Sequence, residues 1–66
     1  MQISLKAARV NANMTQEDVA KVLHKGKQTI LNWETGKTSI DAANLMALCK
    51  LYHIAEDNII LPTTQT

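Results

Sequence analysis

Lys27, Gln28, Leu31 and Asn32 bring together a cationic donor, two amides that donate and accept at once, and one aliphatic tip. At helical spacing they occupy a common face, while Ile30, Trp33 and Glu34 share another. A helix that buries the second face and exposes the first displays a hydrogen-bonding surface to something outside the chain. Other chemistries find little support. The spacings of His24, Cys49 and His53 match no zinc pattern, and a lone Cys49 on an apolar stripe is most simply a small buried hydrophobe. Asp and Glu stand at helix starts, where capping and the helix dipole account for them. Neither a nucleophile-base pair nor a glycine-rich phosphate loop is found. The sequence therefore predicts a protein that is not an enzyme, with no metal, no cofactor and no evident small-molecule ligand.

The elements that must hold this face follow from caps and periodicity. Ser4 can cap a first helix to about Asn11, with Leu5 and Ala8 on one side. Thr15 starts a second: its hydroxyl can accept from the Asp18 amide, the Asp18 carboxylate can answer back, and Met14 and Val19 are spaced for a hydrophobic staple. That helix turns Val19, Ala20 and Leu23 inward and should stop near His24. Gly26 is an acceptable N-cap for the third and Gly36 a left-handed stop. Ser39 or Asp41 begins a fourth, whose core stripe is Ala42, Leu45, Leu48, Cys49 and Tyr52. A short fifth spans Glu56 to Ile60 before Pro62, with Ile54, Ile59 and Ile60 closing the core. No alternating run is long enough to propose a sheet, so the fold class expected is all-α, a compact bundle of five short helices.

A chain of 66 residues has room for one domain, because independent domains rarely fall below about 50 residues. We assign residues 1–61 to it and 62–66 to a C-terminal tail. Hydrophobic residues at 45% and charged ones at 20% place it among folded chains. A single cysteine precludes an internal disulfide and is compatible with a reducing cytosol, and no stretch approaches the roughly 18 apolar residues of a membrane span. A cytoplasmic protein with no membrane association is expected. The net charge of +1 hides an asymmetry. Residues 1–40 carry Lys6, Arg9, Lys21, Lys25, Lys27 and Lys37 against Glu17, Asp18 and Glu34, a balance of +3; residues 41–66 balance at −2. An anionic partner should prefer the first part.

Two helices joined by a turn of about three residues, the second polar near its N-terminus, form the layout of a helix-turn-helix. Periodicity alone leaves other layouts open. Particular residues narrow them: Arg9, then Met14-Thr15-Gln16-Glu17-Asp18-Val19-Ala20, then Thr29-Ile30-Leu31-Asn32-Trp33-Glu34-Thr35-Gly36-Lys37, then Leu45 to Tyr52. From about Ile3 to Leu61 the chain resembles the helix-turn-helix family of lambda-type phage repressors, Cro proteins and xenobiotic-response-element-like regulators.

The resemblance implies a sequence-specific regulator of transcription, phage or bacterial in character, whose partner is a double-stranded DNA operator. It places Lys27, Gln28, Leu31 and Asn32 in the major groove. There Lys can donate to guanine O6 and N7, Gln and Asn can bond adenine N6 and N7, and Leu can pack on a thymine methyl. It assigns Gln16 to a phosphate, and Thr29, Lys37 and Thr38 are best read as phosphate contacts too. It also implies that Arg9 pairs with Glu34, fixing the angle of the third helix. Four positions depart from the family pattern: His24 replaces the usual turn glycine, Lys25 an apolar residue, Ile40 a frequent proline and Ala55 a common Ser or Thr cap. Lys25, exposed in the turn, is a further candidate phosphate ligand. Met46, Leu51, Ile60 and Leu61 exceed what a small core readily buries and could form a homodimer patch. The competing expectation is a protein-interaction module of the same fold that does not read DNA, which the modest net charge favours.

Overall fold

A computed structural model describes residues 2–62. Four α-helices follow a two-residue strand: β1 (Ile3–Ser4), α1 (Leu5–Asn11), α2 (Gln16–Leu23), α3 (Lys27–Thr35) and α4 (Ala42–Tyr52). A 3-10 turn at Glu56–Asn58 then leads into β2 (Ile59–Ile60). Residues 63–66, most of the expected tail, lie outside the described residues.

Local chemistry sets the helix ends. The Ser4 hydroxyl accepts from the Ala7 amide at 3.1 Å, and α1 ends before Asn13, which enters the left-handed region at φ 58°. At α2 the Thr15 hydroxyl accepts from the Asp18 amide at 3.1 Å, and the Thr15 amide donates to the Asp18 carboxylate at 2.9 Å. The reciprocal box thus forms with the shorter Asp, and the Thr15 backbone amide, ahead of its hydroxyl, holds the Asp18 carboxyl below its ordinary value. His24 closes α2 in the left-handed region at φ 55°, where the Lys25 amide donates to the Ala20 carbonyl at 2.9 Å. The turn keeps its form without glycine. Gly36 closes α3 at φ 83°, and Asp41, not Ser39, caps α4 by accepting from the Asn44 amide at 3.3 Å. Gly26 is the N-cap of α3 at an ordinary φ of −79°.

The core is assembled from one side of each helix. Leu5 and Ala8 of α1, Val19 and Ala20 of α2, Ile30 and Trp33 of α3, and Leu48, Cys49 and Tyr52 of α4 are buried with Ile59. Leu45 and Ile54 pack at its edge, and Met14 does so just before α2, as the staple spacing requires. Ala42 is exposed, so the stripe of α4 begins at Leu45.

The expected fifth helix does not form. Glu56–Asn58 makes a single 3-10 turn, and Ile59 and Ile60 run extended, pairing in parallel with β1 as Ile3 to Ile59 and Ser4 to Ile60. Two consecutive β-branched residues favour extended backbone, and Pro62 biases Leu61 the same way. Strand alternation then sends the two isoleucines to opposite sides: Ile59 is 8% exposed and Ile60 51%. Ile60 therefore does not close the core. The pairing ties the beginning of the domain to its end, aided by Gln2 Nε2 donating to the Asp57 carbonyl at 3.1 Å.

One core group is imperfectly matched. The Tyr52 hydroxyl is buried and has no hydrogen-bond partner among the described residues. Burial first, then the nearby Glu34 carboxylate, push its pKa up to about 12, against the opposing pull of Arg9. The unfolded chain releases this proton near pH 10 while the folded one keeps it to about 12, so stability falls as pH rises through that window. The loss should reach on the order of 2–3 kcal/mol. Tyr52→Phe is expected to abolish that share of the alkaline loss and, at pH 7, to leave stability unchanged or raised by up to about 1 kcal/mol. Urea melts of both proteins at neutral and alkaline pH check this. A loss above about 1 kcal/mol at neutral pH would show that the hydroxyl has a favourable partner.

Candidate nucleic-acid interface

Turning a helix into a reading surface requires one side to be anchored. In α3, Ile30 and Trp33 are 1% and 6% exposed and serve as that anchor. Lys27, Gln28 and Leu31 face solvent, with Thr29 and Asn32 half-buried between the two sides. Gln28 and Asn32 are joined directly: Gln28 Nε2 donates to Asn32 Oδ1 at 3.0 Å. The three linking residues His24, Lys25 and Gly26 are exposed, so Lys25 faces solvent in the turn before α3. A Cβ built on Gly26 would meet nothing within 4 Å, and its backbone angles suit any residue. The smallness of that residue serves neither the turn nor internal packing.

The angle of α3 is set by a buried charge network. Arg9 Nε donates to Glu34 Oε2 at 2.7 Å, and Arg9 Nη2 to Glu34 Oε1 at 3.4 Å. The third arm, Nη1, donates to the Met14 carbonyl at 2.9 Å. The two charged side chains are 11% and 4% exposed, so the planar guanidinium links α1, the approach to α2 and the end of α3 in a site largely screened from water. Gln16 joins them, its Nε2 donating to Glu34 Oε1 at 3.0 Å. This bond was not legible beforehand, and it bears on the phosphate role: one N–H of Gln16 is committed to Glu34, so a phosphate contact falls to the other.

Gln16 also lines an open cleft of about 320 Å³ with Lys6, Arg9, Thr15, Glu17 and Lys27. Lys6, counted in the basic balance of residues 1–40, was not singled out as a contact from the sequence. Its position three residues before Arg9 on α1 was the available signal, since that spacing puts both on one side of a helix. Glu17 lies 3.6 Å from Lys27 Nζ, with both side chains more than half exposed. Such a pair holds its partners weakly, by roughly 0–1 kcal/mol, and leaves Lys27 available to a stronger anion. In the loop after α3, Lys37 and Thr38 are exposed. The Thr38 amide already donates to the Asn32 carbonyl at 3.4 Å, so a contact from Thr38 falls to its side chain.

Lys6, Lys25, Lys27 and Lys37 thus gather around α3 and the start of α2, while Met46 (50% exposed), Ile60 (51%) and Leu61 (41%) are left open to solvent, as are Val10 (54%) and Val22 (52%). Leu51, expected among them, packs instead at the edge of the core. No group of three or more His, Cys, Asp or Glu side chains that could hold a metal ion is found among the described residues. None of the described helices is long and apolar enough to cross a membrane.

Comparison with known proteins agrees with this geometry at the level of the family. A search of curated proteins and of solved structures gave no match. A family model described as helix-turn-helix matches residues 5–59, from the first residue of α1 to the first of β2. That span takes in all four helices and the Arg9–Glu34 pair, and the chain belongs to the Cro/C1-type helix-turn-helix family of DNA-binding regulators.

Proposed function

We propose that this protein is a sequence-specific transcriptional regulator, repressor-like or Cro-like, that reads the major groove of an operator with α3. One observation carries the proposal: α3 is anchored by Ile30 and Trp33 and turns Lys27, Gln28 and Leu31 outward, immediately after the exposed Lys25. In this reading Lys27, Gln28, Leu31 and Asn32 meet base edges, and Gln16, Lys25, Thr29, Lys37 and Thr38 meet phosphates. Phosphate contacts set register, and base contacts discriminate. Lys6 joins the phosphate set because it shares a cleft with Gln16 and Lys27. Regulation follows from occupancy, by blocking or recruiting polymerase at the bound promoter.

Exposed Met46, Ile60 and Leu61 support pairing of two copies, each placing its α3 in successive major grooves about one duplex turn apart. Selection of purified protein against a randomised duplex library, at near-physiological salt, tests both points. An inverted repeat should enrich. Gln28→Ala should relax one position in each half-site, at a cost of about 1–3 kcal/mol on the preferred base. Enrichment of a single half-site would remove the dimer, and no enrichment at any salt would turn the search toward a protein partner of the exposed apolar residues.

A further inference from the structure

The hydrogen bond between Gln28 and Asn32 has a consequence for specificity. A carboxamide presents one carbonyl oxygen and two N–H groups, and taken alone either end can face a base after a half-turn about its last torsion. Here Gln28 Nε2 donates to Asn32 Oδ1 at 3.0 Å across one turn of α3. The bond commits one N–H of Gln28 and one of the two lone pairs on Asn32 Oδ1. What remains on Gln28 is its Oε1 and a second N–H, an acceptor beside a donor in one plane. That is the complement of the N6 amine and N7 of adenine. Both N–H groups of Asn32 remain free of this bond, and as donors they suit an accepting edge: guanine O6 and N7, or thymine O4. Asn32 is half-buried and Gln28 exposed, so Asn32 is the better held of the two and orients the other.

Resting on the DNA-reading function proposed above, we infer that Gln28 and Asn32 form one reading unit that selects adenine at one position and guanine or thymine at its neighbour. Asn32 contacts its own base and acts as a positioning residue for Gln28. Leu31, 36% exposed between them in sequence, adds an apolar surface suited to a thymine methyl beside that pair.

The test is a panel of duplexes carrying each base in turn at the half-site positions, measured with wild type, Gln28→Ala, Asn32→Ala, the double variant and Asn32→Asp, after thermal melts show each to be folded. Asn32→Ala should relax two positions, lowering the adenine preference from on the order of tenfold or more to about threefold or less. The double variant should lose less than the product of the two single losses, because both singles break the same unit. Asn32→Asp keeps an acceptor for Gln28 but has no N–H to give. It should retain the adenine preference while its own position shifts toward cytosine, whose N4 amine donates. Independent, multiplicative losses with the adenine preference intact in Asn32→Ala would overturn the inference and leave the DNA-reading function standing. Salt-insensitive or absent binding by wild type would overturn both.

Discussion

Arg9→Leu is expected to destabilise the domain by about 3–5 kcal/mol, the range for removing one partner of a buried ion pair. The Glu34 side chain is 4% exposed, so its carboxylate would be left in a poorly solvated site with the Gln16 amide as its one remaining hydrogen-bonding neighbour among the described residues. The Met14 carbonyl would also lose its donor. Small domains are stable by only roughly 5–15 kcal/mol, so the variant should be partly unfolded at room temperature or melt tens of degrees early. Arg9→Leu with Glu34→Leu should recover most of the loss, since replacing a whole buried pair by apolar groups is often neutral. That double variant is the informative one for function. If the pair fixes the angle of α3, the refolded double variant should still bind duplex less tightly than wild type. Urea melts and duplex titrations check the two halves. A loss below about 1 kcal/mol in Arg9→Leu would mean that the pair is not structural.

The second large effect concerns salt. Binding through about six phosphates should make log affinity fall against log salt with a slope near −5, which between 50 and 200 mM is a loss of about 10³-fold. The whole-chain charge of +1 gives no hint of such a response. The distribution does: Lys6, Lys25, Lys27 and Lys37 lie around α3 and the start of α2, while the acidic residues Asp41, Glu56 and Asp57 lie at the start of α4 and beyond it. Glu17 and Asp18 are the exposed exceptions on the basic side: Asp18 is engaged in the cap of α2, and the weak pairing of Glu17 with Lys27 makes it a local brake rather than a barrier. A protein-only module would lose little over the same range, since it displaces few counterions.

Most of what positions α3 was legible because it is local. A cap reaches three residues, and Ser4, Thr15 and Asp41 each accept from the third residue on, as their types predict. The left-handed stop at Gly36 follows an equally short-range rule. His24 sits where glycine was the usual expectation and adopts the same backbone, so the departure changed a side chain and not the turn. The misreading at Glu56 to Ile60 has a different origin. Five residues are too few to show a period, and the strand they join is only Ile3–Ser4, more than fifty positions away. No local rule can see a two-residue ladder between chain ends. The same limit applies at the interface. Residue types on α3 signalled a reading face, but Gln16 bonding Glu34, the Thr38 amide bonding Asn32 and Lys6 sharing a cleft with Lys27 are properties of packed neighbours.

The central claim, that the α2–α3 face binds duplex DNA, is tested most directly by the salt dependence of duplex affinity for wild type, Lys25→Gln and Lys50→Gln. Lys25 is exposed in the turn between α2 and α3, whereas Lys50 borders a separate surface with Met46 and His53. Wild type should give a slope near −5, Lys25→Gln one about a unit shallower, and Lys50→Gln the wild-type value. A flat response in wild type, or a slope that changes with Lys50 and not with Lys25, would contradict it.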